Sequence, residues 1–164
     1  MRCIAIMSAF EHILVPIDFE PQSREALAVA MDLSRKLGSK ITLMHAYELP
    51  AYAYTGMAFT GVDLLGPVED EARKMLEHEL ARAKEKLPAD RVDAVLRRGV
   101  AWQEILAAAK EARCDLVVMG THGRHGLPRA LLGSVAERVV RLSPIAVLTV
   151  RTPEPATTSP LEPG

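Results

Sequence analysis

Ile13-Leu14-Val15-Pro16-Ile17-Asp18 is a short, mostly apolar run that ends in an acidic residue. Pro21 follows closely, and proline is well suited to the first turn of a helix, where its missing N–H leaves no bond unmade. Apolar residues then recur at helical spacing as far as Gly38, and a second apolar run covers residues 41–46. This order of strand, helix and strand predicts a parallel βαβ unit.

The same alternation continues along the rest of the chain. A connection is predicted over residues 50–67, because this stretch contains several glycines and two prolines. Further elements follow at 68–87 (helix, with a solvated charged face over 69–91), 92–98 (half-buried edge strand), 102–112 (helix), 116–119 (buried strand), 134–142 (helix) and 145–150 (strand). The pattern predicts an α/β fold, namely an open, doubly wound parallel sheet of five strands with helices on both faces.

Composition excludes several classes of protein. The chain has 164 residues with 20 Lys and Arg against 21 Asp and Glu, so bulk charge favours neither nucleic acid nor a membrane surface as a partner. Its two cysteines cannot form a disulfide framework and are typical of reduced, intracellular thiols. No stretch approaches the roughly 18 apolar residues of a membrane span.

The two ends of the chain differ from the middle. Residues 1–10 are predicted to be an N-terminal extension, because their apolar run is too short for a signal peptide. Residues 152–164 contain four prolines and are predicted to be a disordered tail. One domain over residues 11–151 and a cytoplasmic location are therefore expected.

The segment from Gly120 to Ser134 carries the chemistry. Glycines let backbone N–H groups approach an anion closely, and a helix N-terminus adds unpaired N–H groups and a positive dipole end. Ser134 is expected to cap the helix that follows and to offer its hydroxyl to a phosphate. A phosphate site at Gly123, Gly133 and Ser134, opposite Asp18, is one interpretation; a simple strand-to-helix turn is the other. The segment is neither a Walker A loop nor a Rossmann fingerprint.

The spacing Gly120-x2-Gly123-x9-Gly133-Ser134 resembles the nucleotide-binding signature of the universal stress protein family. Four further segments, 13–19, 43–46, 98–99 and 132–139, resemble that family in the same order. The resemblance implies strand order 3-2-1-4-5, a homodimer paired through the last strand (145–150), and membership of the branch that binds ATP.

The resemblance also implies roles for individual residues. The nucleoside would be held by Asp18 at the ribose, by the backbone of Ala46 at the adenine, and by Pro16 and Met119 as apolar walls. The phosphates would lie between two groups of residues: Gly120, His122 and Gly123 on one side and Gly133, Ser134 and Val135 on the other. In two places the chain departs from the family: Glu20 stands where a helix-capping serine is usual, and Ala136 lacks a hydroxyl that would reach a phosphate.

These residues predict an ATP-binding, dimeric regulator of a stress response, with magnesium bound beside the phosphates and an unidentified protein partner. No catalytic residue and no protein metal site are expected; His122 and His125 lack a third ligand at suitable spacing. His45 is expected to be a buried histidine with its hydrogen bonds satisfied. Three alternatives remain open: a slow ATPase or phosphotransferase, a structural dimer without ligand, and a binder of AMP or a cyclic nucleotide.

Overall fold

The computed structural model describes residues 10–48, 65–121 and 132–151. Its sheet has five parallel strands in the order β3-β2-β1-β4-β5, which confirms the predicted order. The strands are β1 (His12–Pro16), β2 (Lys40–Tyr47), β3 (Val92–Arg98), β4 (Leu116–Gly120) and β5 (Ala146–Val150). The chain therefore leaves β1 in one direction for β2 and β3, and later returns beside β1 to add β4 and β5.

Four α-helices connect these strands within the described residues. They are α1 (Pro21–Leu37), α2 (Leu65–Lys84), α3 (Ala101–Glu111) and α4 (Ser134–Leu142). The prediction that residues 50–67 form a loop is wrong for its last three residues, which form the first turn of α2. Pro67 fits there because the first N–H groups of a helix have no intrahelical partner. Residues 49–64 lie outside the described part of the chain.

Helices cover both faces of the sheet, as predicted. The first core cluster joins one face to α1 and α2, and it contains Ile13, Val15 and Ala26. The second joins the opposite face to α3 and α4, and it contains Leu14 and Val139. Successive residues of β1 alternate between the two clusters because side chains of a strand point to opposite faces in turn. The middle of the central strand, from Ile13 to Val15, is therefore fully buried, as a doubly wound sheet requires.

One charged residue departs from the predicted solvated face of the second helix. The side chain of Glu79 is 4% exposed, and its Oε1 accepts a hydrogen bond from Nε of Arg24 at 2.9 Å. Arg82 adds a second, longer contact at 3.4 Å. The prediction is wrong here because Arg24 lies on α1, and local periodicity carries no information about a partner on another helix.

Within the described ranges, no helix is both long and apolar enough to cross a membrane. Residues 1–9 and 152–164, on which the predicted extension and tail fall, lie outside those ranges.

Candidate functional site

The carboxyl ends of β1 and β4 lie side by side at the centre of the sheet. Strand order reverses between them, since β1 pairs with β2 on one side and with β4 on the other. Such a switch point opens a crevice in which α/β proteins bind ligands. Asp18 follows β1 by two residues, and Gly120 is the last residue of β4, so both predicted site residues reach this edge.

The turn from β1 to α1 is held by a small hydrogen-bond network around Asp18. Oδ1 of Asp18 accepts the backbone N–H of Glu20 at 3.1 Å. The hydroxyl of Ser23 accepts the N–H of Asp18 at 3.3 Å and donates to the carbonyl of Glu20 at 3.0 Å. Glu20 is the N-cap of α1 but makes no side-chain capping bond, as its sequence predicts. Ser23 was not singled out from the sequence, although its place in the first helical turn was visible.

His45 supports the same turn from β2. Its Nδ1 lies 2.7 Å from the carbonyl oxygen of Ile17, so Nδ1 carries the proton and donates. Its ring centroid lies 4.4 Å from that of Phe19, a buried residue with a left-handed φ of +68°. The predicted hydrogen bonding of this histidine is confirmed for Nδ1, but the prediction that it is buried is wrong, since the residue is half-buried.

The backbone of Ala46 faces the space beyond the end of β1. The carbonyl of Met44 accepts the N–H of Ile17 at 2.8 Å, whereas that of Tyr47 accepts the N–H of Gly99 at 3.0 Å, on the β3 side. Backbone groups of a strand alternate in direction, so those of Ala46 point to the β1 side, as those of Met44 do. Because β1 ends at Pro16, no strand residue in the described part of the chain pairs with Ala46 on that side, and its backbone N–H and carbonyl point past the end of β1.

Gly120 is packed against the first turn of α1. A Cβ atom at this position would lie 3.2 Å from the backbone carbon and oxygen of Gln22. The end of β4 therefore leaves little room for a side chain. Met119, one position earlier, is buried in the second core cluster, while Pro16 is half-buried.

Helix α4 begins at the same edge, with one difference from prediction. Gly133, not Ser134, is the N-cap: it has extended backbone, and its carbonyl accepts the N–H of Glu137 at 2.9 Å. Ser134 is the first helical residue, is exposed, and makes no capping bond. Val135 is half-buried against the second core cluster. The prediction that Ser134 caps the helix is wrong because capping needs a non-helical residue before the first turn.

Two of the predicted site residues, His122 and Gly123, lie outside the described residues, as does His125. The structure thus brings eight of the predicted residues to this side of the molecule without testing what they bind. These are Pro16, Asp18, Ala46, Met119, Gly120, Gly133, Ser134 and Val135.

Tyr47 belongs to a polar cluster that sequence reasoning missed. Its hydroxyl donates to Oε2 of Glu69 at 2.8 Å, and Arg73 donates to Oε1 of the same carboxylate at 2.6 Å. Burial, and then the hydrogen bond to Glu69, raise the pKa of Tyr47, while the hydrogen bonds from Tyr47 and Arg73 lower the pKa of Glu69. The cluster joins the end of β2 to the start of α2, and nothing in the local sequence pairs these residues.

Metal chemistry finds no support in the described ranges, where no three His, Cys, Asp or Glu side chains are placed to hold an ion. Burial raises the pKa of the Cys114 thiol to about 11. This cysteine therefore stays protonated at neutral pH and is a poor nucleophile or metal ligand.

Sequence comparison agrees with this geometry over almost the whole described chain. The family model described as "Universal stress protein family" matches residues 9–151. The chain is 34% identical over 143 residues to "Universal stress protein A homolog 1" of Coxiella burnetii, an alignment that covers 86% of this chain and 96% of that protein.

Solved structures share the fold. "Universal stress protein UspA from Lactobacillus plantarum" superposes with a TM-score of 0.74 at 22% identity, covering 86% of this chain and 97% of that one. A "universal stress protein in complex with cAMP" superposes with a TM-score of 0.63 at 26% identity, covering 88% and 98%. In that relative, the protein carries a cyclic nucleotide.

Proposed function

This chain belongs to the universal stress protein family, and we propose that it binds ATP in the crevice between β1 and β4 and acts as a nucleotide-dependent regulator. One observation carries the proposal: Asp18, Gly120 and the N-terminus of α4 meet at the switch point of the sheet. The Asp18 carboxylate can accept hydrogen bonds from ribose hydroxyls. The Gly120 backbone, without a side chain, lets an anion approach closely, and the positive end of α4 favours a phosphate.

The nucleoside half of the site would be formed by β1 and β2. The backbone donor and acceptor of Ala46 match adenine, whose N6 amine donates and whose N1 accepts. The carboxylate of Asp18 accepts one hydrogen bond from the N–H of Glu20. Its other lone pairs would accept hydrogen bonds from the ribose hydroxyls. Pro16 and Met119 would give the pocket its apolar sides.

The phosphate half would be formed by the glycine signature. Ser134 and Val135 begin α4, and the first N–H groups of a helix have no intrahelical partner. His122 and Gly123 would complete the site from the loop after β4. Magnesium would be held mainly by phosphate oxygens and water, which suits an ion that dehydrates reluctantly.

ATP turnover would be slow at most. Fast phosphoryl transfer needs a residue that orients the nucleophile, and usually metal-held or cationic groups on the γ-phosphate. Asp18, the carboxylate closest in the chain to this crevice, is engaged with the N–H of Glu20 in the adjoining turn. We therefore propose binding as the main activity, with a protein partner that responds to nucleotide occupancy in the cytoplasm.

A second candidate ligand is a nucleoside monophosphate or a cyclic nucleotide. The relative solved with cAMP supports it, and the Ala46 and Asp18 contacts do not depend on the number of phosphates. A structural dimer without ligand is the remaining alternative, in which the signature would serve only the turn.

The proposed dimer would pair through β5. This strand is the last in the sheet, and Leu148 on it is 39% exposed, whereas the residues of the inner strand β1 are largely buried. An edge strand with exposed apolar side chains offers both hydrogen bonds and area to a second copy.

Calorimetric titration with ATP and magnesium, AMP and cAMP tests the proposal. We expect ATP to bind with micromolar or tighter affinity, and Asp18→Asn to weaken it about tenfold by loss of a charged hydrogen-bond acceptor. Asp115→Asn is the matched control. This aspartate accepts backbone N–H groups of Glu11 and His12 at the opposite edge of the sheet, so nucleotide affinity should not change. Flat titrations with all three nucleotides would support the ligand-free dimer instead.

A further inference from the structure

We infer that Ser23 is a positioning residue of this site, whose hydroxyl orients the turn that carries Asp18 toward the ribose. The inference rests on the proposed function, because it requires a ribose at Asp18. It concerns a residue outside the glycine signature that touches no part of the nucleotide itself.

Ser23 joins the two ends of the turn. Its Oγ accepts the N–H of Asp18 at 3.3 Å and donates to the carbonyl of Glu20 at 3.0 Å. The residue is only 4% exposed, so water has little access to the hydroxyl that makes both bonds. Removing the hydroxyl would delete both bonds and so favour a different backbone conformation at Asp18.

The Ser23 hydroxyl matters to this turn because the conformation of the turn is costly. Glu20 makes no side-chain cap, and Phe19 has φ +68°, a conformation that costs a bulky residue free energy. The contacts that oppose that cost include the Ser23 bridge, the bond from the Glu20 N–H to Oδ1 of Asp18 at 3.1 Å, and the packing of Phe19 on His45.

The effect should be confined to one part of the nucleotide. Ala46 lies on β2, and the phosphates would lie at α4, so the one contact that the turn after β1 carries directly is that of Asp18 with the ribose. Loss of the Ser23 hydroxyl should therefore weaken recognition of the ribose hydroxyls and leave recognition of the base and phosphates intact. A general loss of stability would weaken every contact together.

Calorimetry with ATP and with 2′,3′-dideoxy-ATP separates these cases. We expect Ser23→Ala to weaken ATP about five- to tenfold and 2′,3′-dideoxy-ATP less than twofold. Ser34→Ala is the matched control: Ser34 is also buried on α1, and its hydroxyl donates to the carbonyl of Ser39 at 2.7 Å, at the far end of the helix. It should leave both affinities unchanged.

Two further variants keep the inference open to refutation. Combining Asp18→Asn with Ser23→Ala should weaken ATP no more than Asp18→Asn alone, since both remove the same contact. If Ser23→Ala does not fold, Ser23→Cys keeps a donor and an acceptor at this position but weakens both hydrogen bonds, and the same selective loss is expected.

Equal losses for the two nucleotides, or no loss for either, would overturn the role of Ser23 while leaving ATP binding intact. Failure of the unmodified protein to bind either nucleotide would overturn the proposed function, and the inference with it.

Discussion

The backbone N–H of Gly133 donates to the carbonyl of Thr121 at 2.5 Å, which ties the start of α4 to the end of β4. Thr121 is itself buried, and its N–H bonds the carbonyl of Val150 at 3.1 Å. The two ends of the glycine signature are therefore held together at one point of the sheet edge. A helix N-terminus and a glycine-ended strand face the same crevice because of this bond.

Gly120→Ala tests the close approach of β4 to α1. The new Cβ would press on the backbone of Gln22 at 3.2 Å, and we expect a loss of about 1–3 kcal/mol in the free energy of unfolding. Widening this contact should also weaken ATP binding. Gly38→Ala is the control: it costs about 1–2 kcal/mol through its left-handed backbone (φ +77°) at the other end of α1. Urea unfolding and calorimetry measure both effects; equal ATP affinities in the two variants would contradict the prediction.

Arg24→Ala tests the buried ion pair between α1 and α2. It removes the 2.9 Å partner of Glu79 and leaves a buried carboxylate with only the longer Arg82 contact. We expect a loss of about 1–3 kcal/mol in urea unfolding, reduced because the Arg24 side chain is 45% exposed. Arg35→Ala breaks an exposed pair with Asp32 on the same helix and should cost under about 0.5 kcal/mol. Equal losses of unfolding free energy in Arg24→Ala and Arg35→Ala would show that burial of Glu79 does not strengthen its ion pair with Arg24.

Tyr47→Phe tests the Tyr47–Glu69 hydrogen bond through its pH dependence. The pKa of Glu69 is lowered from 4.5 in the folded protein, first by Tyr47 and then by Arg73. The lowered pKa of Glu69 stabilises the folded protein. This stabilisation is complete above the pKa that Glu69 has in the unfolded chain, and it is lost as the pH falls through the pKa that Glu69 has in the folded protein. The unfolding free energies of the protein and of Tyr47→Phe should therefore differ most near neutral pH and converge on acidification.

At alkaline pH the stabilisation from the same hydrogen bond is lost as the pH rises, because Tyr47 then loses its proton. The pKa of Tyr47 is raised above 10.0 by burial and by Glu69, so its contribution is present below pH 10 and is lost as pH rises through the folded pKa. Urea unfolding between pH 3 and 8 measures the acid limb. In a Glu69→Gln background, the effect of Tyr47→Phe on the free energy of unfolding should not vary over that range. If the effect still changed with pH, the pH dependence would come from another group.

Leu148→Arg tests the proposed dimer. A charge at this exposed position on the edge strand would be desolvated between two copies, and we expect the mass by analytical ultracentrifugation to fall from twice 17.9 kDa to 17.9 kDa. Val68→Arg places the same charge at a comparably exposed apolar residue on α2 (40%) and should leave the dimer intact. A monomer before any substitution would refute the pairing outright.

Most of the fold could be predicted from local patterns. The alternation of apolar runs and helical stripes located every described strand and α-helix to within a few residues, because each buried face imposes its own period on the chain. The order of the strands came from resemblance to a known family and is now confirmed. Helix α2 begins three residues before its predicted start, because Pro67 is compatible with the first turn of a helix as well as with a loop.

The candidate site could be predicted only in part. Asp18 and Gly120 could be predicted because polar or glycine residues at the ends of strands reach the ligand edge of a parallel sheet, and Gly133 because it begins a helix within a glycine-rich segment. Ser23 did not stand out, since a serine in a first helical turn has no distinguishing pattern. The N-cap of α4 is Gly133, one residue before the predicted cap, Ser134.

By itself, the sequence determined which residues form strands and helices, which face of each is apolar, and that a glycine-rich segment follows the fourth strand. Only the tertiary structure decided that Arg24 reaches Glu79, that Tyr47 reaches Glu69, and that the backbone N–H and carbonyl of Ala46 point past the end of β1 at Pro16. The reason is physical. Periodicity records how each segment divides its surface between core and solvent, whereas these contacts depend on how segments distant in sequence are placed against one another.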